Sequence, residues 1–218
     1  MLVGPEQKRY TVHRQIICQT SEYFRALCNG QWKESSEGVV KLDDVMEIAF
    51  NVYICWIYTG RIDVLDPASD AEAMSVKHDK NKEQNDFKDT LWRLAHAFAL
   101  GDRFLDLCFQ NTVIDEYALL SQQNNRHLGP ETLTAVWETV PSQSCLMRAV
   151  VDTVAVRMKA SSFNDIVAHL PSGLVNEIAK AQLRDRELDL SARGICNRQR
   201  CFYHDHTDGK GKTECCSA

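Results

Sequence analysis

The sequence holds no apolar run long enough to cross a bilayer as a helix. Met1 to Tyr10 lack the apolar core of a secretory signal, so the expected location is cytoplasm and/or nucleus. A basic surplus is missing too. The 25 Lys and Arg residues stand against 30 Asp and Glu, a net charge of -5, which is the wrong sign for a chain that neutralises nucleic-acid phosphates. There is no Gly-rich phosphate loop, no nucleophile elbow and no paired His/carboxylate motif, and the reading is therefore a non-enzyme. No repeat of fixed period is present, and strand and helix patterns alternate too irregularly for a doubly wound parallel sheet. The remainder is an ordinary globular balance, 44% hydrophobic against 25% charged, in 218 residues that can bury a real core.

Periodicity places the elements. Gly4-Pro5 marks a turn, and Tyr10 and Val12 alternate with Arg9 and Thr11 in a strand from Arg9 to His13, so a hairpin is expected at the N-terminus. Ile16 to Cys28 reads as a helix broken near Gln19-Thr20, with Ser21 as an N-cap and Asn29-Gly30 as the stop. Val39 to Leu42 is a short strand, and Asp43 or Asp44 is expected to cap the next helix. Val45, Ile48, Ala49, Val52, Tyr53, Trp56 and Ile57 then fall on one helical face, while Phe50, Ile54 and Cys55 make the other face apolar as well. Such a helix is expected to be enclosed by neighbours. Thr59-Gly60 ends it, and Arg61 to Leu65 form another candidate strand.

Residues 66–89 are rich in Asp, Lys, Ser, Asn and Glu, and are expected to form a flexible insert because they cannot bury enough surface to offset their ordering entropy. Helical spacing resumes at Leu91, Leu94, Ala95 and Phe98 and is expected to halt at Gly101-Asp102. A second helix carries Leu105, Cys108, Phe109, Thr112 and Val113. Further apolar stripes come after Pro130 and Pro141, Ser162 to Asp165 suggests a capping box, and a last helix is expected over Leu174 to Leu190.

These residues carry a resemblance. Tyr10-Thr11-Val12-His13, Ile16-Ile17-Cys18 and Ser21-Glu22-Tyr23-Phe24-Arg25 look like the opening of a BTB/POZ domain, closest in wording to fungal members. Trp32-Lys33-Glu34-Ser35, Val39 to Asp43, and Phe50 to Trp56 followed by Tyr58-Thr59-Gly60 continue it, and Leu94-Ala95-His96 resembles the next helical hairpin. The resemblance implies an α+β fold, mainly helical, in which a BTB/POZ-like helical cluster surrounds a small N-terminal β-sheet and leads into further α-helices. The expected organisation is a BTB/POZ-like domain over 1–122, a helical extension over 123–190 and a Cys/His-containing tail over 191–218. It further implies an adaptor that oligomerises or recruits protein partners, among them a cullin-type ubiquitin-ligase scaffold or other BTB proteins.

Trp32 and Glu34 stand where cullin-binding members resemble one another by a hydrophobic-x-Glu motif. The aromatic side chain would fill a pocket and Glu34 would add a charged hydrogen bond. Many family dimers exchange a helix and strand ahead of the first motif. The chain starts almost at that motif, so a homodimer is expected to lack the exchanged element. His13 and His96 are expected to be structural, with the His13 ring partly buried against nearby backbone, and Trp137 is expected to be packing.

Nine cysteines are unevenly spread: five sit singly in apolar or helical stretches, and four crowd the tail. A lone cysteine in an apolar stretch behaves as a small hydrophobe. In the tail, Cys196, Cys201, His204, His206, Cys215 and Cys216 form a metal-ligand set in residue type, and four of them could close a structural zinc site. Their spacing matches no standard finger, so a zinc clip, incidental thiols, and thiol chemistry or lipidation all stay open. A zinc-binding tail would suit the rival reading, a transcription- or chromatin-associated regulator, which the acid-leaning composition and the missing basic helix oppose.

Overall fold

The computed structural model describes residues 1–29, 39–63, 80–123, 128–188 and 202–206. Among them a small sheet is followed by helices. Strand β1 (Leu2–Val3) turns through Gly4 and Gln7, both at positive φ, into β2 (Lys8–Arg9). β1 pairs antiparallel with β2, Leu2 opposite Arg9, and parallel with β3 (Lys41–Leu42), Leu2 opposite Lys41. The sheet order is therefore β2-β1-β3. Both expected strands are shorter than their alternation implied. After Arg9 the chain leaves the sheet because Tyr10 turns onto a helix, its ring 4.9 Å from Phe50 and its hydroxyl donating to Asn51 Oδ1 at 2.7 Å.

Helices α1 (Arg14–Thr20) and α2 (Glu22–Asn29) meet at Ser21. As expected, Ser21 caps α2: its Oγ accepts from the Phe24 amide at 3.1 Å, and the hydroxyl donates to the Phe104 carbonyl at 2.7 Å. Helix α3 (Glu47–Thr59) buries Ala49, Phe50, Val52, Tyr53 and Trp56. Its N-cap is the extended Met46 and not Asp43 or Asp44, and no side chain caps it. Asp44 is drawn away to Arg103, 2.7 Å from its guanidinium. Gly60 closes α3 in the left-handed region, φ 69°, where its N–H reaches the Trp56 carbonyl at 2.7 Å. Arg61 to Asp63 form no strand; Val64 and Leu65 lie outside the described residues.

Helix α4 runs from Lys80 to Arg103, so residues 80–89 are helical where an insert was expected. Phe87, buried near the start of α4, anchors a turn that composition alone made look solvated; residues 66–79 lie outside the described set. Gly101 does not halt the helix either. A Cβ there would stand 2.8 Å from Gln110 Cγ and 2.9 Å from Phe109 Cδ1, so glycine lets the next helix approach α4 closely. That helix, α5 (Leu107–Gln123), begins one residue after Asp106, whereas Leu105 lies outside it at φ 50°.

Helices α6 (Pro130–Thr139), α7 (Cys145–Arg157), α8 (Ala160–Ile166) and α9 (Ser172–Leu188) complete the described helices, with a short 3-10 turn over Val167–His169. Ser144 caps α7 through the Met147 amide at 3.2 Å. Ser162 falls inside α8, which starts after Lys159, so the expected capping box is not formed. Trp137 packs on Gly173, where a Cβ would come within 2.8 Å of its ring.

Helix α4 packs on α3, α5 and α6, and α9 packs on α7. One continuous buried cluster runs from Val3 to Tyr203. Its centre is aromatic: Phe104 lies 4.7 Å from Phe24 and 5.1 Å from Tyr53, and Tyr53 lies 4.9 Å from Phe109, all edge to face. The fold is α+β and mainly helical, as expected.

Candidate partner-binding surface

The N-terminal part of the fold presents two things: a sealed interior and a groove. Asp106 seals the interior. Fully buried, it caps α5 by accepting from the Phe109 amide at 3.1 Å with Oδ1. Oδ2 accepts from Thr20 Oγ1 at 2.5 Å and from the Tyr53 hydroxyl at 3.0 Å. One carboxylate thus ties the end of α1, the middle of α3 and the start of α5 together. Burial, and then the charge of Asp106, push the Tyr53 hydroxyl far up, so it stays a donor. Sealed from solvent and met by donors from three helices, this carboxylate is a structural tie.

The groove, about 590 Å³, lies between the sheet and α1–α2 and is lined by Met1, Tyr10, Arg14, Ile17, Cys28 and Val39 among others. Arg14 crosses it to donate to the Cys28 carbonyl at 2.5 Å. The amino terminus donates to the Tyr10 carbonyl at 2.7 Å, and burial lowers its pKa. Cys18 beside it donates to the Phe24 carbonyl, and burial, followed by the neighbouring Cys28, pushes its thiol up to about 11. A thiol held protonated is a poor nucleophile. A mixed apolar and cationic wall of this kind is suited to contact.

Exposed apolar side chains flank the groove and α3: Val39, Met46, Ile48 and Tyr58. Trp32 and Glu34 lie outside the described residues, between Asn29 and Val39. His13 is exposed, not partly buried, and its partner is a side chain: Nδ1 lies 2.8 Å from the Tyr58 hydroxyl, which also accepts from the His13 amide at 3.0 Å. His96 is half-buried, 4.3 Å from the Trp92 ring, and burial lowers its pKa, so it is a neutral packing residue near neutral pH.

In the tail, His204 and His206 are described, whereas Cys196, Cys201, Cys215 and Cys216 are not. The two rings stand 6.0 Å apart. His204 is buried, and its Nε2 lies 2.8 Å from Asp115 Oδ1 on α5. Among the described residues no group of three or more His, Cys, Asp or Glu side chains is gathered as a metal site. The two described histidines belong to a short strap on the helices.

Sequence reasoning missed Asp106 and the strap. Asp106 stands just ahead of a helical stripe, the position of an N-cap, but Leu105 fits the spacing of that stripe and hides the signal. Tyr203 carries no periodic pattern in a polar segment, so no local signal marked it as buried.

Residues 1–80 match the family model of the BTB/POZ domain. This part of the chain is a BTB/POZ domain. BTB/POZ domain-containing protein 9 of Bos taurus is 36% identical over 76 residues, which are 34% of this chain and 12% of that protein. Its Homo sapiens counterpart is also 36% identical over 76 residues. Kelch-like protein 24 of Homo sapiens is 27% identical over 64 residues, 29% of this chain and 11% of that protein. The chain thus aligns with about a tenth of each relative's length. No solved structure matches.

Proposed function

We propose that this chain is a protein–protein interaction adaptor, in which the BTB/POZ domain grips a partner and the helices from Pro130 onward extend that module. The observation that carries the reading is the BTB/POZ match over residues 1–80, within which one face of helix α3 is buried against α1 and α4. With its interior closed by Asp106, the domain has only its surface to offer, and that surface bears a groove and exposed apolar side chains.

The partner in this proposal is a cullin-type ubiquitin-ligase scaffold, contacted by Trp32 as an aromatic anchor and by Glu34 through a charged hydrogen bond. The similarity to kelch-like relatives supports it. Pull-down with the purified scaffold tests it. Wild-type chain retains the scaffold, and Trp32→Ala with Glu34→Ala, checked for unchanged helicity, reduces retention at least about tenfold, as loss of an interface anchor does. Full retention by the double variant overturns the assignment of these residues. No retention by the wild type overturns the choice of partner.

A further inference from the structure

Residues 202–206, Phe-Tyr-His-Asp-His, lie in a furrow between α5 and α7, far in sequence from either helix. Two pairs of side chains, each one turn apart on its helix, hold them. On α5, Asn111 exchanges two hydrogen bonds with the Asp205 backbone: Nδ2 donates to the carbonyl at 2.9 Å, and Oδ1 accepts from the amide at 2.9 Å. One turn later, Asp115 meets His204 Nε2 at 2.8 Å. On α7, Arg148 donates to the Phe202 carbonyl at 2.9 Å, and its guanidinium lies 5.4 Å from the Tyr203 ring centroid. One turn later, Asp152 Oδ2 accepts from the Tyr203 hydroxyl at 2.8 Å, while Oδ1 lies 3.4 Å from Arg184 of α9.

This is how a site reads a peptide segment, here one that turns at Phe202 and Tyr203. An amide side chain pairing both backbone groups of one residue fixes register without regard to side chain, and contacts to particular side chains supply specificity. Here the backbone is read at Phe202 and Asp205, and the side chains at Tyr203 and His204. Tyr203, His204, Asn111 and Asp152 are all buried, so the contacts are made out of water, where a satisfied hydrogen bond is worth most. The contacts described are made by side chains of α5 or α7 to residues 202–205, and none of these depends on which chain supplies the segment. Residues 189–201 separate α9 from the strap, a contour of on the order of 45 Å when extended.

We propose that this furrow is a recognition site for a Tyr-His-Asp segment that enters through a turn, filled in cis by residues 203–205 and filled in trans by the same segment of a second copy. Exchange of identical contacts between copies is a low-cost route to association. The tether sets the competition, because a linked segment faces its own furrow at an effective concentration of about millimolar. This association does not use the BTB/POZ surface and stands whether or not a cullin-type scaffold binds.

Two full-length variants test it, Tyr203→Ala with His204→Ala, which breaks the strap, and Asn111→Ala with Asp115→Ala, which breaks the furrow. In the mixture, the intact strap of one meets the intact furrow of the other without a competitor in cis. Sedimentation of the labelled chains is expected to show the mixed pair associating at least about tenfold more tightly than either variant with itself. Association through the BTB/POZ surface is common to all three samples and cancels. Equal association in the three overturns the proposal.

Should the furrow variant fail to fold, a capped fluorescent Phe-Tyr-His-Asp-His peptide decides. It is expected to bind the strap-broken chain saturably and the wild type at least about tenfold more weakly, because the wild-type furrow is already filled. No binding to the folded strap-broken chain, or equal binding to both, overturns it.

Discussion

The two ends of the helical array satisfy their buried polar groups in different ways. Around α1–α5 the polar centre is Asp106, whose partners Thr20, Tyr53 and the Phe109 amide all come from the elements that make the aromatic core. Around α5, α7 and α9, Asp152 and Asn111 take partners from a five-residue strap brought in from beyond α9. The first region is closed by its own elements, and the second completes its polar contacts with a segment. A region sealed by its own core fails only by unfolding, whereas one sealed by a strap can open locally, at a cost set by a few hydrogen bonds and two buried rings. One molecule thus contains a half closed by its own core and a half closed by a segment from beyond α9.

The largest effect should come from the half closed by its own core. Phe104→Ala removes a fully buried ring at the centre of the aromatic cluster and is expected to cost about 3–5 kcal/mol, read as a fall in the denaturant midpoint. Because the buried cluster is continuous, the loss should appear across the molecule. Retention of the wild-type midpoint would contradict the description of that core.

Asp106→Ala comes next. It deletes the cap of α5 and leaves the Tyr53 and Thr20 hydroxyls without this acceptor, for a loss of about 2–4 kcal/mol in the same measurement. Replacement by Asn keeps an oxygen for the cap and should recover part of the loss.

Tyr203→Phe sharpens the contrast. It keeps the ring and removes one hydroxyl bonded to a buried carboxylate, which should cost about 1–2 kcal/mol. Amide hydrogen exchange should rise along the strap-facing turns of α5 and α7 and stay unchanged in α3. A uniform rise would mean that the two halves do not differ in the way described.

The smallest effect belongs to the surface. Arg103 holds the Asp44 carboxyl below the ordinary aspartate range, but the pair is solvent-exposed, and Asp44→Asn is expected to cost no more than ~0.5 kcal/mol. The folded pKa lies below the unfolded one, so the contribution is complete above the unfolded value and is lost as pH falls through the folded value. Wild type and variant should therefore melt alike in strong acid and differ slightly near neutrality.

Much of the N-terminal domain was legible. Ser21 reads as a cap because a short hydroxyl side chain ahead of Tyr23, Phe24 and Leu27 has a local hydrogen-bonding role that needs no tertiary partner. Helix α3 reads as enclosed because it is apolar on nearly every side, but only the face with Ala49, Phe50, Val52, Tyr53 and Trp56 is buried, and Ile48 and Tyr58 stay exposed. The errors arose where tertiary contact replaced local preference. Gly101 resembles a helix stop, but close packing against Phe109 and Gln110 keeps it within α4. Asp43 and Asp44 resemble caps, but Arg103, distant in sequence, takes Asp44. Residues 80–89 resemble a solvated insert, but Phe87 has a core to enter.

The amino-acid sequence alone determined most of the element types, the apolar third helix and the resemblance to the BTB/POZ family, because hydrophobic period and hydroxyl capping act over a few residues. Only the tertiary structure decided that Asp106 closes the domain and that Tyr203 and His204 dock between α5 and α7. Those pairings join residues between 51 and 89 positions apart, and a hydrogen bond over such a separation leaves no periodic trace in either segment.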